Sequence, residues 1–128
     1  MWRMLGRYNW IVLGVYGFLA DRICKHVVLN GGTYIINEGV SFGVDLGKST
    51  NILVAIAMLL MLWVTLEERK YLWLSFFGAL GNVLDRWLYG GVVDYIKIGK
   101  FPWFNTADFL IVLGLCLWAM KQLGLLPE

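Results

Sequence analysis

Long apolar runs constrain the fold of this chain more than any other feature of its sequence. The most extreme run reads ILVAIAMLLMLWV, and four runs of this kind cover residues 10–20, 52–66, 71–81 and 109–120. With 59% hydrophobic residues among 128, a soluble domain would have too small an interior to bury so much apolar surface. A lipid bilayer removes this difficulty, so the sequence predicts an integral membrane protein.

The apolar runs are short for membrane spans, because a crossing helix needs about 20 residues. Extended into their flanks, they predict spans at residues 8–27, 50–66, 71–89 and 105–123. Residues 30–48, between the first two spans, are rich in glycine and β-branched residues, and TYIIN (33–37) and VSFGV (40–44) are typical of short strands. We expect one all-α membrane domain over residues 1–128, a four-helix bundle with a small β-element outside the membrane.

Three aspartates lie near span ends, and alternating topology brings them to one side of the membrane. Asp21 and Asp85 lie toward the ends of spans one and three, and Asp108 begins span four. Asp94 lies on the loop that precedes span four. Lysine and arginine are nearly balanced between the two sides, so the positive-inside rule does not decide which side faces the cytoplasm.

Charged groups inside spans are costly and need partners. Asp21 lies four residues before Lys25 and can pair with it on one helix face. Asp85 has Arg86 beside it and Asn82 one turn earlier. We interpret Asp21 and Asp85 as structural pairs that give indirect support to a site.

Asp94 and Asp108 have no obvious cation nearby, which leaves two interpretations open. If the two carboxylates are close together, one retains a proton, and the pair can activate a water and protonate a scissile amide as in an aspartic protease. Alternatively, Asp108 is an acid favoured by the helix dipole and Asp94 is a turn residue.

Other classes of function fit the sequence less well. His26 is the only histidine, and there is no HExxH, no GxSxG and no phosphate-binding glycine loop. We therefore expect no metal and no cofactor, and a net charge of +2 gives no reason to expect nucleic acid. A proton or ion pathway remains an alternative, although acids on one side do not form a chain across the membrane. A non-catalytic binding protein is a further alternative.

Four blocks, in this order, resemble the lipoprotein signal peptidase (signal peptidase II) family: ADRICKHVV, INEGVSFG, GALGNVLDRWLYGGVVDYI and FPWFNTADFLIVLG. Together they cover residues 20–114. The resemblance implies a four-span aspartyl endopeptidase of the bacterial inner membrane. Both termini would be cytoplasmic, and a β-cradle between spans one and two and the active site would be extracytoplasmic. The substrate would be a prolipoprotein, cleaved just before a diacylglyceryl-modified cysteine, with membrane lipid as a partner. We expect a monomer.

The resemblance also implies roles for individual residues. Asp94 in VVDY and Asp108 in FNTAD would be the catalytic pair. Eight further residues match motif positions that we assign to substrate positioning and site support: Asn37, Asn82, Arg86, Asn105, Asp21, Lys25, Gly81 and Asp85. The chain departs from the family at DRICK, where Arg22 replaces a glutamine. We interpret the apolar residues 54–62 as lipid-facing and expect no site residue among them.

Overall fold

Four helices and two short strands make up the computed structural model, which describes residues 6–39, 49–67 and 69–126. The elements in chain order are α1 (Arg7–Leu29), β1 (Ile35–Asn37), α2 (Ser49–Leu66), α3 (Leu72–Tyr89), β2 (Val92–Asp94) and α4 (Thr106–Gln122). Each helix coincides with one predicted span to within two residues at either end. Over the described ranges, no helix combines the length and the apolar character needed to cross a membrane.

Helix α3 is the centre of the bundle, since it packs against α1, α2 and α4. At the end of α3 that lies away from the aspartates, Trp10 and Tyr71 meet edge to face with ring centroids 4.8 Å apart, and Leu74 completes a buried cluster. Closer to the middle, the Ser75 hydroxyl donates to the carbonyl of Ile111 over 2.7 Å and joins α3 to α4. This hydrogen bond helps to hold α4 against α3, and with it the acid at the start of α4.

The two strands form a small antiparallel sheet at the end of the bundle where the aspartates lie. Ile35 pairs with Asp94, and Asn37 with Val92. The predicted strand in TYIIN is confirmed over Ile35–Asn37, whereas VSFGV (40–44) lies outside the described residues. The partner strand was not predicted, because VVD is too short to show an alternating pattern. Asp94 is therefore the last residue of a strand and not a loop residue.

Candidate active site

A capping box at the start of α4 fixes the position of Asp108. Asn105 is the N-cap residue, and its side-chain oxygen accepts a hydrogen bond from the Asp108 backbone N–H at 2.8 Å. In return, one Asp108 carboxylate oxygen accepts from the Asn105 N–H at 3.1 Å. Such reciprocal bonds satisfy donors that a helix start would otherwise leave unpaired. Asp108 is thus the helix-start acid that one interpretation of the sequence predicted, but only one of its oxygens serves the cap.

The second Asp108 oxygen faces α3 and accepts a hydrogen bond from the Asn82 side-chain amide at 2.8 Å. The oxygen of the same Asn82 amide accepts from Lys25 at 3.2 Å and from the Asn105 amide at 3.1 Å. Because each end of the Asn82 amide has a partner of opposite kind, its orientation is defined. Asn82 therefore holds the Asp108 carboxylate from the side opposite the cap.

Asp94 lies at the end of β2, where its carboxylate is held by two amides. It accepts from Asn37 at 3.2 Å and from Asn105 at 2.9 Å, and the residue is only 2% exposed. Asn37 reaches it because Asn37 is opposite Val92, two residues before Asp94, and residues two apart on a strand face the same side. Asn105 consequently contacts both acids, through its side chain at Asp94 and its backbone at Asp108.

Burial raises the pKa of Asp94 from its ordinary value near 3.8 to about 6. The hydrogen bonds from Asn37 and Asn105 oppose this rise, and the negative charge of Asp108 adds to it. A carboxyl group with a pKa of about 6 exchanges its proton close to neutral pH, which suits a general acid or base.

Four charged residues behind the pair form a buried cluster, which we call the ion-pair cluster: Asp21, Arg22, Lys25 and Asp85. The Lys25 ammonium lies 2.7 Å from Asp21 and 2.6 Å from Asp85, which confirms the predicted Asp21–Lys25 pair. Arg22 forms its ion pair with Asp85 and lies 3.8 Å from Asp21. Among the described residues, the ion pairs of Asp85 are therefore formed with α1 and not with its neighbour Arg86.

Arg86 instead fastens the segment that follows β1. Its guanidinium donates to the carbonyl of Gly39 over 2.6 Å, and the Gly39 N–H donates to the side-chain oxygen of Asn37 over 2.9 Å. Side chains of adjacent helix residues project about 100° apart, so Arg86 and Asp85 contact different parts of the structure. Arg86 thereby holds in place the strand end that carries Asn37.

The ion-pair cluster also anchors the start of α4. One Asp21 oxygen accepts from the Thr106 hydroxyl at 2.9 Å and from the Ala107 N–H at 3.1 Å, two donors of the first helical turn. Gly81 permits this arrangement, because a Cβ atom there would lie 2.9 Å from the other Asp21 oxygen. The Tyr95 hydroxyl lies 2.6 Å from that of Thr106, and burial raises the pKa of Tyr95 to about 12.

Asp85 anchors strand β2 in the same way that Asp21 anchors the start of α4. Its carboxylate accepts a hydrogen bond from the Val93 N–H at 3.1 Å, and Val93 is fully buried directly before Asp94. The ion-pair cluster thus holds both elements that carry the candidate pair, α4 through Asp21 and β2 through Asp85. Lys25 adds a contact to the side chain of Asn82, and no member of the ion-pair cluster lines the cavity described next.

A cavity of about 360 Å³ opens beside the two carboxylates, between α2, α3 and α4. Asn37, Asn82, Arg86, Asp94 and Asp108 form its polar part. The rest of the wall is apolar, and α2 contributes Val54, Ala57, Met58 and Met61. Four residues of 54–62 therefore line the cavity, where the sequence favoured lipid-facing side chains. The sequence feature that could have indicated this wall is the i, i+3, i+4, i+7 spacing of the four side chains, which places them on one helix face.

No group of three or more His, Cys, Asp or Glu side chains suited to hold a metal ion occurs among residues 6–39, 49–67 and 69–126.

Comparison with known proteins identifies the family. A family model described as signal peptidase (SPase) II matches residues 11–123. The chain belongs to the signal peptidase II family. It is therefore a hydrolase of peptide bonds, and its activity is removal of the signal peptide from prolipoproteins.

Individual relatives agree with this assignment. The chain is 39% identical over 98 residues to the lipoprotein signal peptidase of Syntrophomonas wolfei subsp. wolfei, covering 68% of this chain and 66% of that protein. It is 32% identical over 140 residues to the lipoprotein signal peptidase of Clostridium novyi, covering 86% of this chain and 94% of that protein.

Two solved structures, both described as bacterial membrane enzymes, share the fold. One superposes with a TM-score of 0.77 at 25% identity, over 90% of this chain and 87% of that one. The other has a TM-score of 0.75 at 26% identity, over 90% and 92% of the two chains. This chain therefore shares its arrangement of four helices and a small sheet with bacterial membrane enzymes.

Proposed function

We propose that Asp94 and Asp108 are the catalytic pair of this signal peptidase. One carboxylate, in its ionised form, takes a proton from the attacking water, and the other, protonated, polarises the scissile carbonyl and then protonates the leaving amine. The observation that carries the proposal is that Asn105 contacts both acids while both line one cavity. The pKa of Asp94, raised by burial to about 6, supports the sharing of one proton.

The amides around the pair would orient it and the substrate. Asn37, Asn82 and Asn105 donate to the two carboxylates and fix which oxygens face the cavity. Arg86 lines the same cavity and is positioned to bind a substrate carbonyl. Asp21, Lys25, Gly81 and Asp85 are support residues that act on the pair through α4 and β2.

The apolar part of the cavity would hold the lipid portion of the substrate. Its wall of α2 and α4 side chains provides no partner for a polar peptide, whereas acyl chains bury apolar surface there at a gain of roughly 25 cal/mol per Å². The scissile bond, directly N-terminal to the diacylglyceryl-modified cysteine, would then lie at the polar end. Membrane lipid would occupy the apolar part between turnovers.

The placement of the chain in the membrane follows from this assignment. Residues 1–128 would form a single domain of the bacterial inner membrane, with four spans at residues 8–27, 50–66, 71–89 and 105–123. Both termini would be cytoplasmic, and the site, with the β-rich segment 30–48, would face the extracytoplasmic side. The chain would act as a monomer.

A cleavage assay tests the catalytic pair directly. Purified protein in detergent would be incubated with a diacylglyceryl-modified prolipoprotein, and loss of the signal peptide would be followed by gel shift. We expect Asp94→Asn and Asp108→Asn each to abolish cleavage while the protein still folds. Glu67→Gln, an equivalent change at an exposed acid at the other end of the bundle, should cleave normally. Normal turnover by either aspartate variant would refute the assignment, and binding without cleavage by the wild type would favour a non-catalytic binding protein.

A further inference from the structure

A tight hairpin connects the two candidate catalytic residues. Ile96 and Phe104 form an antiparallel bridge, with hydrogen bonds of 2.9 and 3.0 Å between their backbone groups. At the tip, the Phe101 N–H donates to the carbonyl of Ile98 at 3.0 Å, and Gly99 between them has φ +51°. The tip, which we define as residues 97–101, is therefore a defined turn at the same end of the bundle as the aspartates.

Side chains of the tip combine cations with exposed apolar groups. Ile98 is 63% exposed and Phe101 is 51% exposed, and Lys97 and Lys100 flank them on the surface. No acid occurs from residue 95 to residue 107, so the hairpin carries two positive charges without compensation from its own sequence. This pattern suits an anionic surface with an apolar layer directly beneath it.

Local contacts keep the two apolar side chains of the tip outward. The Lys97 ammonium donates to the Phe101 carbonyl over 2.6 Å, which closes the turn from the side. The Phe101 ring meets Phe104 edge to face at 5.5 Å, yet half of Phe101 remains exposed. A turn braced in this way presents Ile98 and Phe101 without the entropic cost of ordering them on binding.

Exposed aromatic residues at the end of α3 indicate that this hairpin lies near a lipid–water interface. Trp87, Leu88 and Tyr89 are 83%, 59% and 45% exposed in the last turn of the helix. Exposed tryptophan and tyrosine at the ends of helices in membrane proteins are typical of the headgroup level. Because Tyr95 begins the hairpin only six residues later, the hairpin starts close to that level.

We propose that the tip of this hairpin binds the headgroups of anionic phospholipids. Ile98 and Phe101 enter the boundary between headgroups and acyl chains, and the ammonium groups of Lys97 and Lys100 contact lipid phosphates from above. Because the hairpin joins Asp94 to the helix that carries Asp108, this contact sets the height of both carboxylates above the acyl layer. The proposal concerns the lipid contact alone and does not depend on the catalytic assignment.

A depth measurement tests the proposal without any assay of activity. A nitroxide label would be attached at Pro102→Cys, an exposed position beside the tip, in a background of Cys24→Ser and Cys116→Ser. The protein would be placed in nanodiscs of phosphatidylcholine, or of phosphatidylcholine mixed equally with phosphatidylglycerol. We expect the label to be more accessible to oxygen than to a water-soluble nickel chelate, and more so in the anionic nanodiscs.

Removal of the two cations should abolish the effect of the anionic lipid. Each lysine near an anionic membrane contributes roughly a fivefold change in the bound population, so Lys97→Gln/Lys100→Gln should lose most of the difference between the two nanodiscs. High salt should do the same to the wild type by screening. Lys121→Gln, at the other end of the bundle, is the matched control and should leave the difference intact.

Equal label depth in the two lipid mixtures would overturn the proposal, as would a difference that survives the double lysine substitution. Amide hydrogen exchange of the unlabelled hairpin gives an independent readout, because the label itself is then absent. Exchange at residues 97–103 should be slower in anionic than in neutral nanodiscs for the wild type only. Equal exchange rates in the two nanodiscs would likewise refute headgroup binding.

Discussion

Loss of Arg22 should destabilise the protein, because the ion-pair cluster is charge-balanced only with this residue present. Asp21 and Asp85 supply two negative charges, and Lys25 and Arg22 supply two positive ones, all within hydrogen-bonding or ion-pair distance. Arg22→Met retains much of the apolar stem but leaves one buried carboxylate without its own cation. Lys25 alone would then serve both acids.

The size of this loss of stability depends on how deeply the ion pair is buried and on the cation that remains, Lys25. Removing one partner of a buried ion pair costs about 3–5 kcal/mol, since an uncompensated charge is left behind. The Arg22 side chain is 22% exposed whereas Asp85 is fully buried, and Lys25 stays 2.6 Å from Asp85. Both facts reduce the penalty, so we expect Arg22→Met to lower the free energy of unfolding by about 2–3 kcal/mol.

Reversible unfolding in mixed micelles would measure this loss of unfolding free energy. A double-mutant cycle would show whether the loss arises from the interaction between Arg22 and Asp85. Asp85→Asn removes the acid that Arg22 serves, so Arg22→Met/Asp85→Asn should cost clearly less than the sum of the two single variants. Arg22→Lys, which retains the charge, is the matched control and should be milder than Arg22→Met. Additive costs in the cycle would refute the idea that Arg22 acts by neutralising Asp85.

Two further predictions concern the catalytic end and the cavity wall. Because burial raises the pKa of Asp94 to about 6, this residue contributes stability below its unfolded pKa of about 3.8 that is lost as the pH rises through 6. Melting at pH 5 and pH 8 should therefore show that Asp94→Asn loses about 1 kcal/mol less over this interval than the wild type, and equal losses would contradict the raised pKa. Met58→Trp should fill the cavity and raise KM for the lipidated substrate severalfold. Leu59→Trp, on the neighbouring exposed position, should not, and equal KM values for the two variants would exclude the cavity as the lipid site.

The helices could be predicted from the sequence because their apolar runs are long and their ends are marked by polar residues. The predicted span 105–123 and α4 (Thr106–Gln122) differ by one residue at each end, since Asn105 is a strong N-cap signal. The side on which the aspartates gather follows from alternation alone. Asp21, Asp85 and Asp108 accordingly lie at the same end of the bundle.

Features that depend on tertiary contacts could not be predicted in this way. The pairing of Ile35–Asn37 with Val92–Asp94 joins segments far apart in sequence, and only the first of them shows a strand pattern. Arg86 is adjacent to Asp85, yet the cations of Asp85 come from α1. The helical rotation between neighbouring residues, and not their distance along the chain, decides which partners they can reach.

The pairing of charges in the ion-pair cluster bears on how the proposed catalytic pair would share a proton close to the cations Lys25 and Arg22. Lys25 and Arg22 pair with Asp21 and Asp85, so the charges within the ion-pair cluster balance, although the charge of Lys25 still partly offsets the rise in the pKa of Asp94. The side chains that donate hydrogen bonds to the pair are the neutral amides of Asn37, Asn82 and Asn105, whereas the cation Arg86 lines the same cavity. Asn82 connects the ion-pair cluster to the pair, because its side-chain oxygen accepts a hydrogen bond from Lys25 while its NH₂ group donates one to Asp108. The negative charge of Asp108 therefore continues to oppose ionisation of Asp94, which is the condition for one shared proton.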